Sequence, residues 1–260
     1  MPAFKPSFPA KVNYSHPLTR GLRFAALLND RNLLAVRELR YGRTATVNAT
    51  PAWVDNSAGP AMSFSGSSVD WPNSPEYGIT GSAVSVCVGF RFTASQTNAV
   101  LLAKWGASGS YILFVDNISA NRLKGGVSIG ASAKTATSAN TYNDGLPHQA
   151  VMTYDGAAVK LYVDGGREEI NTAQTGNIDT TTEVLRLAAY SGGGGGFVGE
   201  INYGYVWARA LPRSEVAELF FDPYGMFLQR MVAQPAAVPS SFNWNQAATQ
   251  IARMERVIGY

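Results

Sequence analysis

Catalysis needs nucleophiles, acids and bases or metal donors, and this chain supplies them sparsely. Among its 260 residues there are two histidines, His16 and His148, and one cysteine, Cys87. That leaves no internal disulfide and no cysteine cluster for zinc. Ser128 stands in Gly126-Val127-Ser128-Ile129-Gly130, the G-x-S-x-G spacing of a nucleophile elbow. An elbow needs a helix directly after the serine's turn, and the following ASAKTATSAN has no helical apolar period, so Ser128 is not read as a nucleophile. Gly194, Gly196 and Gly199 formally make G-x-G-x-x-G, but the run leads into a strand and puts no helix N-terminus before a phosphate. It reads as a flexible loop. His148 reads as a strand residue with a packing or hydrogen-bonding role.

Ring faces are the better-supplied chemistry, because an aromatic face can stack on a sugar. Trp53, Trp71, Trp105, Tyr111, Tyr142 and Tyr190 fall at or near loops and strand ends. Of these, Trp105, Tyr111, Tyr142 and Tyr190 are the candidate carbohydrate-binding residues. No catalytic residue, metal or cofactor is expected.

The elements that would position these rings are strands. Val84, Val86, Val88, Phe90 and Phe92 alternate with Ser85, Cys87, Gly89 and Arg91, which is the period of two of a strand. Shorter runs follow at 100–104, 111–116, 124–129, 148–154, 158–164, 184–190 and 198–207. Asn143-Asp144-Gly145, Asp155-Gly156 and Asp164-Gly165-Gly166 supply turn chemistry between them. Strands at this spacing without intervening helices predict an all-β antiparallel sandwich. Pro212 opens one short helix, with Val216, Leu219 and Phe220 on one face and Asp222-Pro223 as its stop. After the linker AQPAAVPSS, the residues Ala247, Ile251, Met254 and Ile258 fall at helical spacing and predict an amphipathic tail.

Composition narrows the class further. The chain is 46% hydrophobic and 15% charged, with a net charge of +3, which excludes a disordered protein. The basic residues Arg31, Arg37, Arg40 and Arg43 form one stretch, read as a solvated segment or a contact with acidic neighbours; nucleic-acid binding is not expected. No run approaches the ~18 apolar residues of a membrane span, so membrane insertion is not expected. The opening MPAFKPSFPAK has three prolines and no apolar run, and is not read as a signal peptide.

The block from Asn143 through Gly156, with Leu161-Tyr162-Val163-Asp164-Gly165 after it, resembles the heart of laminin-G-like, or concanavalin A-like, jelly-roll domains. Their run reads D-G-x-W-H-x-V-x-x-x-Y-D-G and then L-Y-V-D-G. Gly59-Pro60-Ala61-Met62-Ser63-Phe64-Ser65-Gly66 upstream is similar to the family's G-x-A-x-x-F-x-G. Arg209-Ala210-Leu211 with Ser214-Glu215-Val216 is similar to its closing R-A-L-S-x-x-E-I. Pro147 stands where the family usually has Trp. The resemblance implies a jelly roll over 17–225, between an N-terminal arm (1–16) and a C-terminal linker and tail (226–260).

Calcium-dependent members carry acidic residues ahead of the G-x-I strand. Here that place reads Ala188-Ala189-Tyr190-Ser191-Gly192 without a carboxylate, whereas Ca²⁺ wants about six to eight oxygens. Glucan-cleaving relatives use Glu-x-Asp-x-x-Glu, which does not occur, so the paired acids of a glycosidase are missing.

HPLTRGL and VWARALPRSEVAELFFDPYGMF resemble proteins of this fold encoded by tailed bacteriophages. The expected function is therefore a non-catalytic virion structural protein, capsid decoration or tail fibre, made in the host cytoplasm. Expected partners are other virion proteins, further copies in a homo-oligomer, and host cell-surface polysaccharide. Phe242, Trp244, Ile251, Met254 and Ile258 on the tail are the candidate partner-binding residues. The alternative class is a free carbohydrate-binding lectin module.

Overall fold

The computed structural model describes residues 5–6, 9–29, 31, 36–116, 118–166, 168–190 and 195–228, with the backbone alone over 168–171. In chain order the strands are β1 (Lys11–Val12), β2 (Leu22–Ala26), β3 (Thr46–Asn48), β4 (Ala52–Asn56), β5 (Gly59–Ser65) and β6 (Ser68–Trp71). There follow β7 (Val84–Arg91), β8 (Val100–Trp105), β9 (Gly109–Val115), β10 (Arg122–Ile129), β11 (Ser132–Thr141), β12 (His148–Tyr154) and β13 (Ala158–Val163). The last elements are β14 (Glu168–Ala173), β15 (Leu185–Leu187), β16 (Val198–Trp207), the helix α1 (Arg213–Phe221) and β17 (Phe227–Leu228).

Two antiparallel sheets face each other. One runs β11-β10-β9-β8-β15-β6-β3; the other runs β14-β13-β12-β7-β16-β5-β4, with β2 pairing β16 where β5 leaves off. Inward side chains of both sheets, among them Val84, Val86, Val88, Phe90, Leu113, Val127, Met152 and Leu161, make one core between them. The all-β jelly roll with one short helix is as the sequence predicts.

The outer faces of the two sheets differ. Alternation along β7 puts Ser85 and Cys87 on the outside of the sheet, yet both are buried. α1 lies over that face, and Cys87, Val151, Tyr205 and Trp207 pack there with Val12, Leu18, Val216, Leu219 and Phe227 as a second core. Ser85 Oγ donates to the Arg209 carbonyl at 2.8 Å and accepts from the Leu211 amide at 2.9 Å, tying down the segment that leads into α1. Residues 10–12, expected in an arm, therefore pack on the sandwich, with Lys11–Val12 paired to Phe227–Leu228. Among the described residues the outer face of the other sheet carries no helix, yet its outward Val100, Ala103, Ile112 and Phe114 are buried as well.

The segment ASAKTATSAN contributes most of β11, hairpinned to β10 through Gly130 and Ala131, both at positive φ. That turn, not a nucleophile elbow, explains the glycine after Ser128. Asn143-Asp144-Gly145 is a crossover from β11 in one sheet to β12 in the other rather than a hairpin. Gly192 to Gly194 of the glycine run lie outside the described residues, and nothing there bears on the loop reading.

The basic stretch meets acids of its own chain. Arg31 pairs with Asp55 at 2.6 Å and Arg43 with Glu76 at 2.8 Å. Residues 1–229 form one unit and 230–260 a second. The second lies wholly outside the described residues, and with it Phe242, Trp244, Ile251, Met254 and Ile258.

Candidate functional site

On the outer face of the sheet that holds β8 and β9, Ala103 and Trp105 of β8 turn outward beside Ile112 and Phe114 of β9, and Val100 joins them because the register shifts between Val100 and Leu102. These apolar side chains form a small cluster of their own, with Trp105 and Tyr190 half-buried at its edge. Trp105 stands opposite Gly109 in the β8–β9 register. The glycine is required: a β-carbon there would lie 2.6 Å from two atoms of the indole. The ring therefore packs directly on the neighbouring backbone.

Tyr190 faces the same hollow from the segment after β15. Its hydroxyl accepts from Asn98 Nδ2 at 3.2 Å, and its carbonyl accepts from Arg186 Nη1 at 2.6 Å. Arg186 is itself fixed by Asp70, 2.6 Å from Nε and 2.5 Å from Nη2. Between the two rings is a cavity of about 320 Å³, completed by Asn98, Ile112, Phe114, Ala133 and Thr135.

Trp105 and Gly106 also wall a second hollow of about 490 Å³, which runs to Ser108, Ser128, Ala131, Asp179 and Thr180. Asp179 fastens its floor, accepting from Ser128 Oγ at 2.7 Å and from the amides of Gly130 and Ala131 at 3.0 and 2.7 Å. The Ser128 hydroxyl, with those amides, holds the Asp179 carboxyl below its ordinary pKa. Ser128 is thus a hydrogen-bond donor in the wall. The rim is tied by Ser108 and Thr181, whose hydroxyls are 2.7 Å apart, and by the Ala107 amide donating to Glu183 Oε1 at 3.0 Å.

Of the four candidate rings, Trp105 and Tyr190 line one cavity; Tyr111 and Tyr142 do not. Tyr111 points inward with Leu113 and Val115, fully buried, and its hydroxyl donates to the Tyr77 carbonyl at 3.0 Å. Tyr142 is buried in the main core with its ring edge-on to His148, centroids 5.0 Å apart. Neither presents a ring face to a ligand. The reason is parity: in Tyr111-Ile112-Leu113-Phe114-Val115 the outward positions are Ile112 and Phe114. That run is apolar on both faces, a signal that the outer face is more than a solvated surface.

His148 bridges two carboxylates, Asp164 through Nδ1 and Asp144 through Nε2, each at 2.9 Å. Burial disfavours the imidazolium, but the bonds to Asp164 and Asp144 outweigh it and raise the His148 pKa above its ordinary value. Both ring nitrogens are engaged, which suits a pin holding the 143–147 crossover.

A cavity of about 560 Å³ lies on the covered face beside the end of α1. Its polar atoms mostly fasten the chain: Lys5 Nζ donates to the carbonyls of Pro60 and Asn202, and Gln149 Nε2 to Tyr203 Oη and the Leu219 carbonyl. Burial lowers the Lys5 pKa to about 7. No group of three His, Cys, Asp or Glu among the described residues is placed to hold a metal ion. Among them, too, no helix is long and apolar enough to cross a membrane.

Two antiparallel sheets around one core, closed by a helix after the last long strand, define the class of concanavalin A-like sandwiches. The family described as the concanavalin A-like lectin/glucanases superfamily, in its laminin-G group, matches residues 64–217, and the chain belongs to it.

Domain 4 of AbnA, a GH43 extracellular arabinanase from Geobacillus stearothermophilus solved in complex with arabinotriose, is similar at 18% identity and a TM-score of 0.60. The match covers 81% of this chain and 98% of that one. The binding domain of Paraclostridial Mosquitocidal Protein 1 aligns at 13% identity and a TM-score of 0.62 over 78% of this chain and 52% of that one, so this chain spans about half its length. The sialidase of Trypanosoma rangeli, in complex with the inhibitor DANA, aligns at 13% identity and a TM-score of 0.53, over 78% of this chain and 33% of the sialidase. At these identities the likeness is one of fold. No curated protein matches the chain in sequence.

Proposed function

We propose that the chain is a non-catalytic glycan-binding module, with the cleft between Trp105 and Tyr190 as its site. The observation that carries this reading is the indole of Trp105, seated on Gly109 on the sheet face away from α1, with Tyr190 across a cavity of about 320 Å³. Aromatic faces on a fixed backbone are what sugar stacking needs. The likeness to an arabinanase domain solved with arabinotriose, across almost all of that domain, supports it. The non-catalytic part rests on the carboxylates. Asp179 is the one acid among the described residues lining the two hollows, and its oxygens are taken by Ser128, Gly130 and Ala131. Glycoside hydrolysis ordinarily uses a pair.

The wider role we propose is the lectin-like part of a bacteriophage virion protein, assembled in the host cytoplasm, docked to other virion proteins and displayed toward host-surface polysaccharide. Its support is the resemblance of HPLTRGL and of the closing VWARALPRSEVAELFFDPYGMF to phage proteins of this fold.

Each part has its own test. On a glycan array the full chain should give saturable binding that Trp105→Ala weakens by about tenfold or more, equivalent to ~1.4 kcal/mol; an array without hits contradicts the glycan reading. Deleting 233–260 should abolish incorporation into particles while the sandwich stays folded. Unchanged incorporation contradicts docking through the tail.

A further inference from the structure

The two hollows beside Trp105 share part of their lining. Trp105 and Gly106 line both, one hollow lying toward Phe114 and Tyr190 and the other toward Ser108, Asp179 and Thr180. The indole, seated on Gly109, is a wall common to both. From Phe114 to Gly109 along β9 is five residues, about 17 Å at the rise of an antiparallel strand. That length exceeds one sugar ring, and a unit stacked on the indole would send its neighbours into the hollows on either side.

The groove is also short of positive charge. Among the described residues, neither hollow has a lysine or arginine in its lining. Two basic residues near it on this face are paired with acids: Lys124, opposite Phe114, with Asp116 at 2.8 Å, and Arg186 with Asp70 at 2.5 Å. An acidic sugar would lose water without gaining a cation, which is costly, and would do so near the Asp179 carboxylate. The lining offers a neutral sugar the Asn98 amide, the Thr135, Ser108 and Thr180 hydroxyls and the indole face.

We infer that the two hollows are one groove for a linear, uncharged oligosaccharide several units long, centred on Trp105, and that it discriminates against acidic glycans. The inference rests on the glycan-binding reading and adds to it the length and charge class of the ligand.

The test is calorimetric titration of the full chain with arabino-, xylo- and gluco-oligosaccharides of one to six units, and with oligogalacturonides of the same lengths. Affinity for at least one neutral series should rise tenfold or more with length and then level off, while oligogalacturonides bind at least tenfold more weakly. Thr180→Trp, an exposed position in the second hollow, should collapse the gain with length. If affinity is independent of length, or Thr180→Trp leaves the gain intact, the continuous groove is wrong, although the glycan reading stands as long as Trp105→Ala still weakens binding. Equal binding of oligogalacturonides overturns the charge discrimination. If no series binds, the inference and the glycan reading fail together.

Discussion

Trp105 and Gly109 face each other across the β8–β9 pair so closely that a β-carbon on the glycine would lie 2.6 Å from the indole ring. The seat of the ring is therefore set by the absence of a side chain on the next strand, which makes Gly109 part of the site although it has nothing to offer a ligand itself. Gly109→Ala should lift or tilt the indole. Overpacking of this kind costs about 1–3 kcal/mol in a fully packed core, and less at a half-buried edge. The expected result is a glycan affinity lowered severalfold with a small fall in melting temperature, read by calorimetry and thermal denaturation on one sample. Unaltered affinity would mean that the ring's seat is unimportant.

Tyr111 separates core from site. Its hydroxyl bonds the Tyr77 carbonyl inside the sandwich, so Tyr111→Phe leaves a buried acceptor without its donor and should cost about 1–3 kcal/mol in stability. Glycan affinity should not change. Denaturant unfolding and calorimetry check the two halves of this prediction, and a loss of affinity at full stability would return Tyr111 to the site.

His148 gives the fold a pH dependence. Its folded pKa is raised by Asp164 and Asp144 against the effect of burial. The pair's contribution to stability is therefore complete below the unfolded imidazole value of about 6.5 and is lost as pH rises through the higher folded value. Asp144 works at the acid end: burial opposes its ionisation, but the Leu146 amide and His148 hold its pKa below the ordinary value, so its contribution is lost as pH falls through that lowered value. The stability difference between wild type and His148→Gln should thus be largest in mildly acid solution and shrink on either side. Denaturant midpoints across pH 3–9 measure it, and a difference that grows above neutrality would contradict the assigned role.

Most of the sandwich was legible because its central strands alternate strongly: Val84–Arg91, His148–Tyr154 and Val198–Trp207 lie within a residue of the runs read from sequence. β11 was not, since Ser132–Thr141 is built of Ser, Thr, Ala, Lys and Asn and buries little of its own apolar surface. It is held instead by its register on β10, a tertiary effect that period-counting does not see. The site was half legible. Trp105 and Tyr190 stood out as aromatics near strand ends, but which side of β9 faces outward depends on which side packs against the other sheet. That long-range packing put Tyr111 in the core with Leu113 and Val115, and Ile112 and Phe114 in the cleft. Asp179 carried no sequence signal, because its role comes from the β10–β11 turn it fastens.

The central claim is that a sugar sits on Trp105. Its most direct test is the indole N–H signal of Trp105 in a ¹H–¹⁵N spectrum of the full chain, assigned by its disappearance in Trp105→Ala and followed as a neutral oligosaccharide from the calorimetric series is added. The account predicts that this resonance shifts progressively and saturates, while the signals of the buried Trp71 and Trp207 stay in place. A Trp105 signal that does not move while the same oligosaccharide demonstrably binds would put the site elsewhere and contradict it.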